Sequence, residues 1–232
     1  MKPEIIRSAN FVADAAGFIL DQARIALAER AEFRIALSGG NTPRPVYAEF
    51  GRISGDLRWE NLRFTFGDER CVPPDDPQSN YRMARESLFE PFAIPDKSVL
   101  RMRGELDPAV AAQQYEDELA LLATQHGETI YRHDLMLLGL GEDGHTASLF
   151  PGTNALEERV RRVVANFVPR LASWRLTMTL PLLNQSRVVL FLTRGDKKRA
   201  VLERVLTGDS GLPASRVAPE NGRLIWMIDS AA

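Results

Sequence analysis

The chain has 232 residues, of which 44% are hydrophobic and 26% are charged, and its formal net charge is −2. This composition is typical of one large globular domain or two small ones, and the small net charge gives the molecule as a whole no attraction for nucleic acid or an anionic membrane. Cys71 is the single cysteine. An intramolecular disulfide and a cysteine-based zinc cluster are therefore excluded, which suits a reducing compartment.

The first 20 residues do not read as a signal peptide. Glu4, Arg7 and Asp14 interrupt each apolar stretch before it reaches the necessary length. No window approaches the ~20 uncharged apolar residues that a membrane-spanning helix needs. We therefore expect a cytoplasmic protein that does not bind membranes or nucleic acid.

Helices and strands alternate along the chain. Helical spacing of apolar residues predicts helices, one of them short, at 8–30 (with Ser8 or Asn10 as N-cap), 43–50, 80–89 (with Ser79 or Asn80 as N-cap), 107–125, 146–150 and 196–206. Apolar runs predict strands at 33–37, 62–66, 134–138, 162–168, 175–180, 187–193 and 223–229.

Most of these strands are continuously apolar rather than alternating, as expected for a parallel sheet covered by helices on both faces. No repeat or linker divides the sequence, so we predict a single doubly wound, mostly parallel α/β domain over residues 1–232, Rossmann-like in class. In such sheets ligands bind beyond the carboxyl ends of the strands. Polar, glycine-rich loops follow the strands at 33–37, 62–66 and 134–138, which suggests one site assembled from all three.

The glycines within residues 139–144 fit the G-x-G-x-x-G spacing of a dinucleotide-binding loop. Other features argue against a nucleotide: Pro151 would end the helix early, Glu142 and Asp143 would repel a pyrophosphate, and residues 163–166 hold no acid for the ribose. A tight turn after a buried strand explains the glycines more simply, and they would also let the backbone approach a small substrate.

His145 is the histidine best placed for chemistry. It lies in this loop, two residues after Asp143, whereas His126 lies at a helix end and His133 precedes a strand. Because imidazole titrates near neutral pH, His145 is a candidate general base. Asp68, which directly follows another strand, is an alternative to Asp143 as the carboxylate that orients it.

The segment between the strand at 33–37 and the next helix is a candidate phosphate site. Small residues there expose backbone N–H groups at the positive end of a helix. The segment lacks the lysine of a Walker loop, and an ordinary capped turn is the alternative interpretation. The residues of this predicted cradle are Ser38, Gly39, Gly40, Asn41 and Thr42.

Several cations are candidates for substrate binding, although such charges usually lie on a solvated surface. Arg70 comes two residues after Asp68, and Arg170 and Arg175 both lie in "VPRLASWRLTM". Lys198 lies at the start of a helix, where a cation is electrostatically disfavoured unless an anion binds.

Seven segments together resemble the 6-phosphogluconolactonase family, in the family's order and over nearly the whole chain. They are "LSGGNTP", "FGDERCVP", "SNYRMARESLF", "DLMLLGLGEDGHTASLFPGT", "RLTMTLPLLN", "LPASRVAP" and "WMIDSAA". Glucosamine-6-phosphate deaminases share the fold and the D-G-H turn, but they typically read D-E-Y and D-G-H-I-A-F. Arg70 and "TASLFP" favour the lactonase. Arg170 stands where a lysine is common in the family.

The resemblance implies the fold of sugar-phosphate deaminases and isomerases, and hydrolysis of 6-phospho-D-glucono-1,5-lactone to 6-phospho-D-gluconate in the oxidative pentose phosphate pathway. It implies general-base activation of water, with no metal or organic cofactor. We predict His145 as the base, Asp68 or Asp143 as its partner and Arg70 as a stabiliser of negative charge. Arg175, Lys198, Arg170 and the 38–42 segment are predicted to hold the phosphate.

Two alternatives differ in function. A deaminase or isomerase would use Asp68 as a proton shuttle, and a non-catalytic domain would only bind sugar phosphates. The sequence is compatible with a monomer or a small homo-oligomer.

Overall fold

The computed structural model describes residues 3–230, in which six parallel strands form a central sheet and three antiparallel strands form a second, smaller sheet. The strands are β1 (Glu4–Ser8), β2 (Phe33–Leu37), β3 (Leu62–Phe66), β4 (Asp68–Arg70), β5 (Leu135–Gly139), β6 (Val163–Val168), β7 (Ser173–Met178), β8 (Val188–Thr193) and β9 (Arg223–Asp229). The central sheet has the order β1-β9-β8-β5-β2-β3, and the smaller one the order β4-β7-β6. The helices are α1 (Phe11–Arg30), α2 (Pro43–Ile53), α3 (Asn80–Ala84), α4 (Pro108–Gln125), α5 (Leu180–Leu183) and α6 (Arg199–Leu206).

The central sheet is covered on both faces, as predicted. Successive residues of a buried strand enter opposite cores: Leu137 belongs to the same apolar cluster as Ile19 of α1, and Leu138 to the same cluster as Tyr115 of α4. Every residue of β2 and β8 is buried. The continuous apolar runs therefore reflect strands with helices on both sides.

The strands β6 and β7 differ from the prediction because they do not join the parallel sheet. They pair antiparallel with each other, and β7 pairs antiparallel with β4. The turn between them is too short for the crossover that parallel pairing requires. The edge strand β1 was not predicted, because its residues are mostly exposed and of mixed polarity.

The predicted short helix after His145 is wrong. The backbone there forms turns, with Gly144 at φ +80°, Ala147 at φ +46° and Gly152 at φ +74°. A right-handed helix cannot pass through residues with positive φ.

At the N-terminus of α1, the structure distinguishes between the two predicted N-cap residues. Asn10 occupies the N-cap position without a side-chain hydrogen bond, while the Ser8 hydroxyl accepts the N–H of Asn10 at 3.1 Å and donates to Asp14 at 2.5 Å.

No helix within residues 3–230 is both long and apolar enough to cross a membrane.

Candidate active site

A cavity of about 460 Å³ opens at the carboxyl edge of the central sheet. Loops after β2 and β5, strand β4 and the β6–β7 hairpin all contribute to its wall. Apart from Asp143, all the site residues predicted from the sequence line it: Ser38, Gly39, Gly40, Asn41, Thr42, Asp68, Arg70, His145, Arg170, Arg175 and Lys198. The predicted convergence of separate loops is therefore present.

Asp143 lies beside His145 and fixes its ring. The carboxylate Oδ1 is 2.5 Å from Nδ1 of His145 and also accepts the backbone N–H of His145 at 3.2 Å. Burial alone would raise the pKa of Asp143, but the hydrogen bonds and charge of His145, together with Arg170, lower it to about 2. An ionised carboxylate only accepts hydrogen bonds, so Nδ1 carries a proton. In the neutral ring, Nε2 is left with a lone pair.

Phe150 and Arg170 hold this pair from the other side. The rings of His145 and Phe150 stack with centroids 4.2 Å apart and an interplanar angle of 24°. The Arg170 guanidinium lies 2.8 Å from Oδ2 of Asp143 and 5.0 Å from the centre of the Phe150 ring. Arg170, predicted as a phosphate ligand, lines the cavity and here pairs with the carboxylate that contacts His145.

Two glycines of the loop lie where a side chain would not fit. A Cβ atom on Gly141 would overlap the His145 ring, and one on Gly144 would lie 2.7 Å from Leu212 in addition to the positive φ. The steric role of Gly141 stands beside the prediction that these glycines let the backbone approach a small substrate, since Gly139 and Gly141 also line the cavity.

Gly141→Ala tests that role. We expect kcat to fall by about tenfold or more, because the added methyl group displaces the ring and a misplacement of ~1 Å costs up to 10²-fold. Steady-state kinetics measure the effect. Gly17→Ala is a matched control, since a Cβ there meets no atom within 4 Å. An unchanged kcat for Gly141→Ala would show that the ring position does not matter.

Asp68 has different partners from those predicted. Its Oδ2 accepts the Ser148 hydroxyl at 2.6 Å, and its Oδ1 accepts the Asn80 amide at 3.3 Å. It is Asp143, not Asp68, that contacts the His145 ring. Ser148 and Asn80 line the cavity and were not predicted as site residues. Ser148 stands within the "TASLFP" motif, but a contact over 80 positions leaves no local pattern in the sequence.

Glu69 anchors the start of α3 to β4. Its buried carboxylate accepts backbone N–H groups of Arg70 at 2.7 Å, Asn80 at 2.7 Å and Tyr81 at 2.8 Å. Burial raises the pKa of Glu69, and these hydrogen bonds oppose the rise. The Glu69 carboxylate therefore fixes the backbone of Arg70 and Asn80, which both line the cavity. Of the two predicted caps, Ser79 is the N-cap, accepting the N–H of Arg82 at 3.1 Å.

Arg70 and Arg175 face each other across the β4–β7 pair. Burial and then the charge of Arg70 lower the pKa of Arg175, and the charge of Asp68 opposes this. Lys198 is half-buried, which lowers its pKa, and the charge of Glu142 opposes that change. A bound anion would stabilise the charged forms of Arg175 and Lys198.

The loop at 38–42 is fixed at its start by Tyr47. The buried Tyr47 hydroxyl accepts the N–H of Ser38 at 2.9 Å and donates to its carbonyl at 2.8 Å. Within residues 3–230 the buried Ser38 hydroxyl has no hydrogen-bond partner. Gly39 has no room for a Cβ beside the Asn80 amide, and Gly40 has φ +99°.

Comparisons with known proteins agree on one family. The family model described as "Glucosamine-6-phosphate isomerases/6-phosphogluconolactonase" matches residues 7–226. The chain is 41% identical over 211 residues to a 6-phosphogluconolactonase of Synechocystis sp., covering 89% of this chain and 86% of the relative.

Several solved structures share the fold of this chain over nearly its whole length. The 6-phosphogluconolactonase of Thermotoga maritima superposes with a TM-score of 0.84 at 30% identity, covering 98% of this chain and 99% of the other. The enzyme of Trypanosoma brucei gives a TM-score of 0.86 at 31% identity, covering 98% and 96%. The chain belongs to the glucosamine-6-phosphate isomerases/6-phosphogluconolactonase family.

Proposed function

We propose that this chain hydrolyses 6-phospho-D-glucono-1,5-lactone to 6-phospho-D-gluconate, a step of the oxidative pentose phosphate pathway. The relatives named 6-phosphogluconolactonase support the substrate. One structural observation supports the chemistry: Oδ1 of Asp143 lies 2.5 Å from Nδ1 of His145, and the His145 ring lines a cavity that contains several cations.

His145 is the general base in this proposal. Nε2 removes a proton from a water molecule as its oxygen attacks C1 of the lactone, which forms a tetrahedral oxyanion and an imidazolium. Asp143 stabilises that imidazolium through the hydrogen bond to Nδ1. When the bond between C1 and the ring oxygen breaks, the imidazolium returns the proton to the departing oxygen. The product is the open-chain acid.

Positive groups in the cavity divide into two roles. Arg70 and backbone N–H groups of the loops oppose the charge that develops on the lactone carbonyl oxygen. Arg175, Lys198 and the 38–42 loop hold the 6-phosphate, so that remote binding energy positions a sugar that offers few apolar contacts. We place Arg170 mainly with Asp143, as a positioning residue.

A deaminase or isomerase is the second candidate. Such an enzyme would use Asp68 as a base at C1 and C2. Each oxygen of Asp68 already accepts a hydrogen bond, from Ser148 and from Asn80, whereas Nε2 of His145 makes no hydrogen bond within residues 3–230. Hydrolysis of the lactone is therefore the better fit to the geometry.

The assay that separates these functions uses both substrates. Lactone hydrolysis is followed by coupling to 6-phosphogluconate dehydrogenase, with spontaneous hydrolysis subtracted, and ammonia release is measured with glucosamine 6-phosphate. We expect a rate above background only with the lactone. Ammonia release without lactonase activity would support the deaminase instead.

The pH dependence of stability tests the Asp143–His145 pair. The pKa of Asp143 is about 2 in the folded chain, against ~3.9 for an unstructured aspartate. Its stabilising effect is therefore complete above pH ~4 to 5 and is lost as the pH falls through about 2. We expect the difference in unfolding free energy between wild type and Asp143→Asn to shrink from pH 5 to pH 3 in urea titrations. A constant difference would show that the pair does not form.

We further propose that the enzyme acts in the cytoplasm as a monomer or a small homo-oligomer, without nucleic acid or an organic cofactor. Light scattering coupled to gel filtration measures the number of subunits.

A further inference from the structure

A second cavity, of about 350 Å³, lies beside the substrate cavity at the same edge of the central sheet. Its apolar wall is formed by Leu202 and Leu206 of α6 and by Ile228 of β9. Arg7 and Lys198 also line it, and Lys198 lines both cavities. The proposed mechanism does not use the second cavity.

The charges around this cavity are mainly positive. Arg7 has no ion pair within residues 3–230, and Arg199 has only a long contact of 3.5 Å to Asp196. Glu203 is the carboxylate residue among those that line the cavity. Three cations against one carboxylate favour an anionic occupant, and Glu203 can accept a hydroxyl from it.

Thr193 provides an independent sign of a missing partner. This residue ends β8, lines the second cavity and is 1% exposed. Within residues 3–230 its hydroxyl has no hydrogen-bond partner. A buried hydroxyl without a partner is costly, so an oxygen atom of a bound molecule would satisfy it.

We propose that this second cavity binds a phosphate monoester with a small apolar body. The phosphate lies among Arg7, Lys198 and Arg199, and the apolar body lies against Leu202, Leu206 and Ile228. Binding to the second cavity does not depend on the proposed lactonase function. The expected effect of the occupant on KM does rest on that function.

The consequence follows from the shared lysine. The Lys198 ammonium can pair closely with one phosphate at a time. An occupied second cavity therefore removes one cation from the 6-phosphate of the substrate, and the occupant raises KM without lowering kcat.

Phenyl phosphate is the probe, and Arg7→Gln is the main variant because Arg7 does not line the substrate cavity. Calorimetry should detect two sites in the wild type, one of them weakened about tenfold in Arg7→Gln and in Thr193→Val. Arg175→Gln should weaken the other site instead. Arg204→Gln is the matched control. Arg204 lies on α6, the helix that carries Leu202 and Leu206, but it pairs with Asp209 and does not line the second cavity.

Kinetics complete the test. Phenyl phosphate in the substrate cavity competes directly with the lactone and raises KM in every variant. The contribution of the second cavity is therefore the part of the rise in KM that Arg7→Gln loses and that the wild type and Arg204→Gln keep. Equal binding and equal inhibition in wild type and Arg7→Gln would overturn the site. A weakened site with unchanged inhibition would overturn the coupling through Lys198. If the protein had no lactonase activity, the calorimetric result would still decide whether the site exists.

Discussion

Replacing His145 with glutamine is expected to lower kcat by ~10²–10⁴ with little change in KM, since a general base contributes about that much to the rate. Glutamine keeps much of the volume that packs on Phe150 but has no nitrogen that can take a proton at neutral pH. Initial rates in the coupled assay, corrected for spontaneous hydrolysis, measure the effect.

His126→Gln is the matched control for this variant. His126 lies at the end of α4, 3.2 Å from Glu32 and outside the cavity, and its replacement should leave kcat unchanged. Wild-type turnover by His145→Gln would contradict the assignment of the base.

Replacing Arg175 with glutamine is expected to raise KM by about 10- to 100-fold, because a charge-assisted hydrogen bond contributes ~1.5–3 kcal/mol. The effect should fall on KM since the phosphate is bound equally in the ground state and in the transition state. Steady-state kinetics over a wide range of lactone concentrations measure it.

Arg223→Gln is the control, because Arg223 is an exposed arginine that pairs with Glu4 at the start of β9, at the other end of the sheet. Thermal unfolding should show that Arg175→Gln remains folded. A fall in kcat at unchanged KM would place Arg175 at the reacting carbonyl instead.

Much of the fold could be predicted because a two-sided parallel sheet leaves a direct trace in the sequence. The runs at 33–37, 134–138 and 187–193 are mainly apolar without strict alternation, and the structure buries nearly all of their residues. The β6–β7 hairpin leaves no such trace. Strand propensity identifies its two strands, but neither propensity nor periodicity says which sheet a strand joins.

The candidate site was predictable where partners are close in sequence. Asp143 and His145 are two residues apart, so a single turn of the loop brings their side chains into contact. The partner of Asp68 could not be inferred, because Ser148 reaches it only through the packing of the loop after β5 against β4. The steric role of Gly141 was also hidden, since the G-x-G-x-x-G spacing does not specify which side chain fills the space above the glycine.

The most direct test of the account is a structure of the wild-type protein with 6-phospho-D-gluconate bound. We expect the phosphate between Arg175 and Lys198, and the C1 carboxylate within ~3–3.5 Å of Nε2 of His145, as required for a reacting centre. The Asp143 contact to Nδ1 should be retained. A product bound in the opposite direction, with its phosphate at His145 and its carboxylate at Arg175, would contradict both the proposed base and the proposed phosphate site.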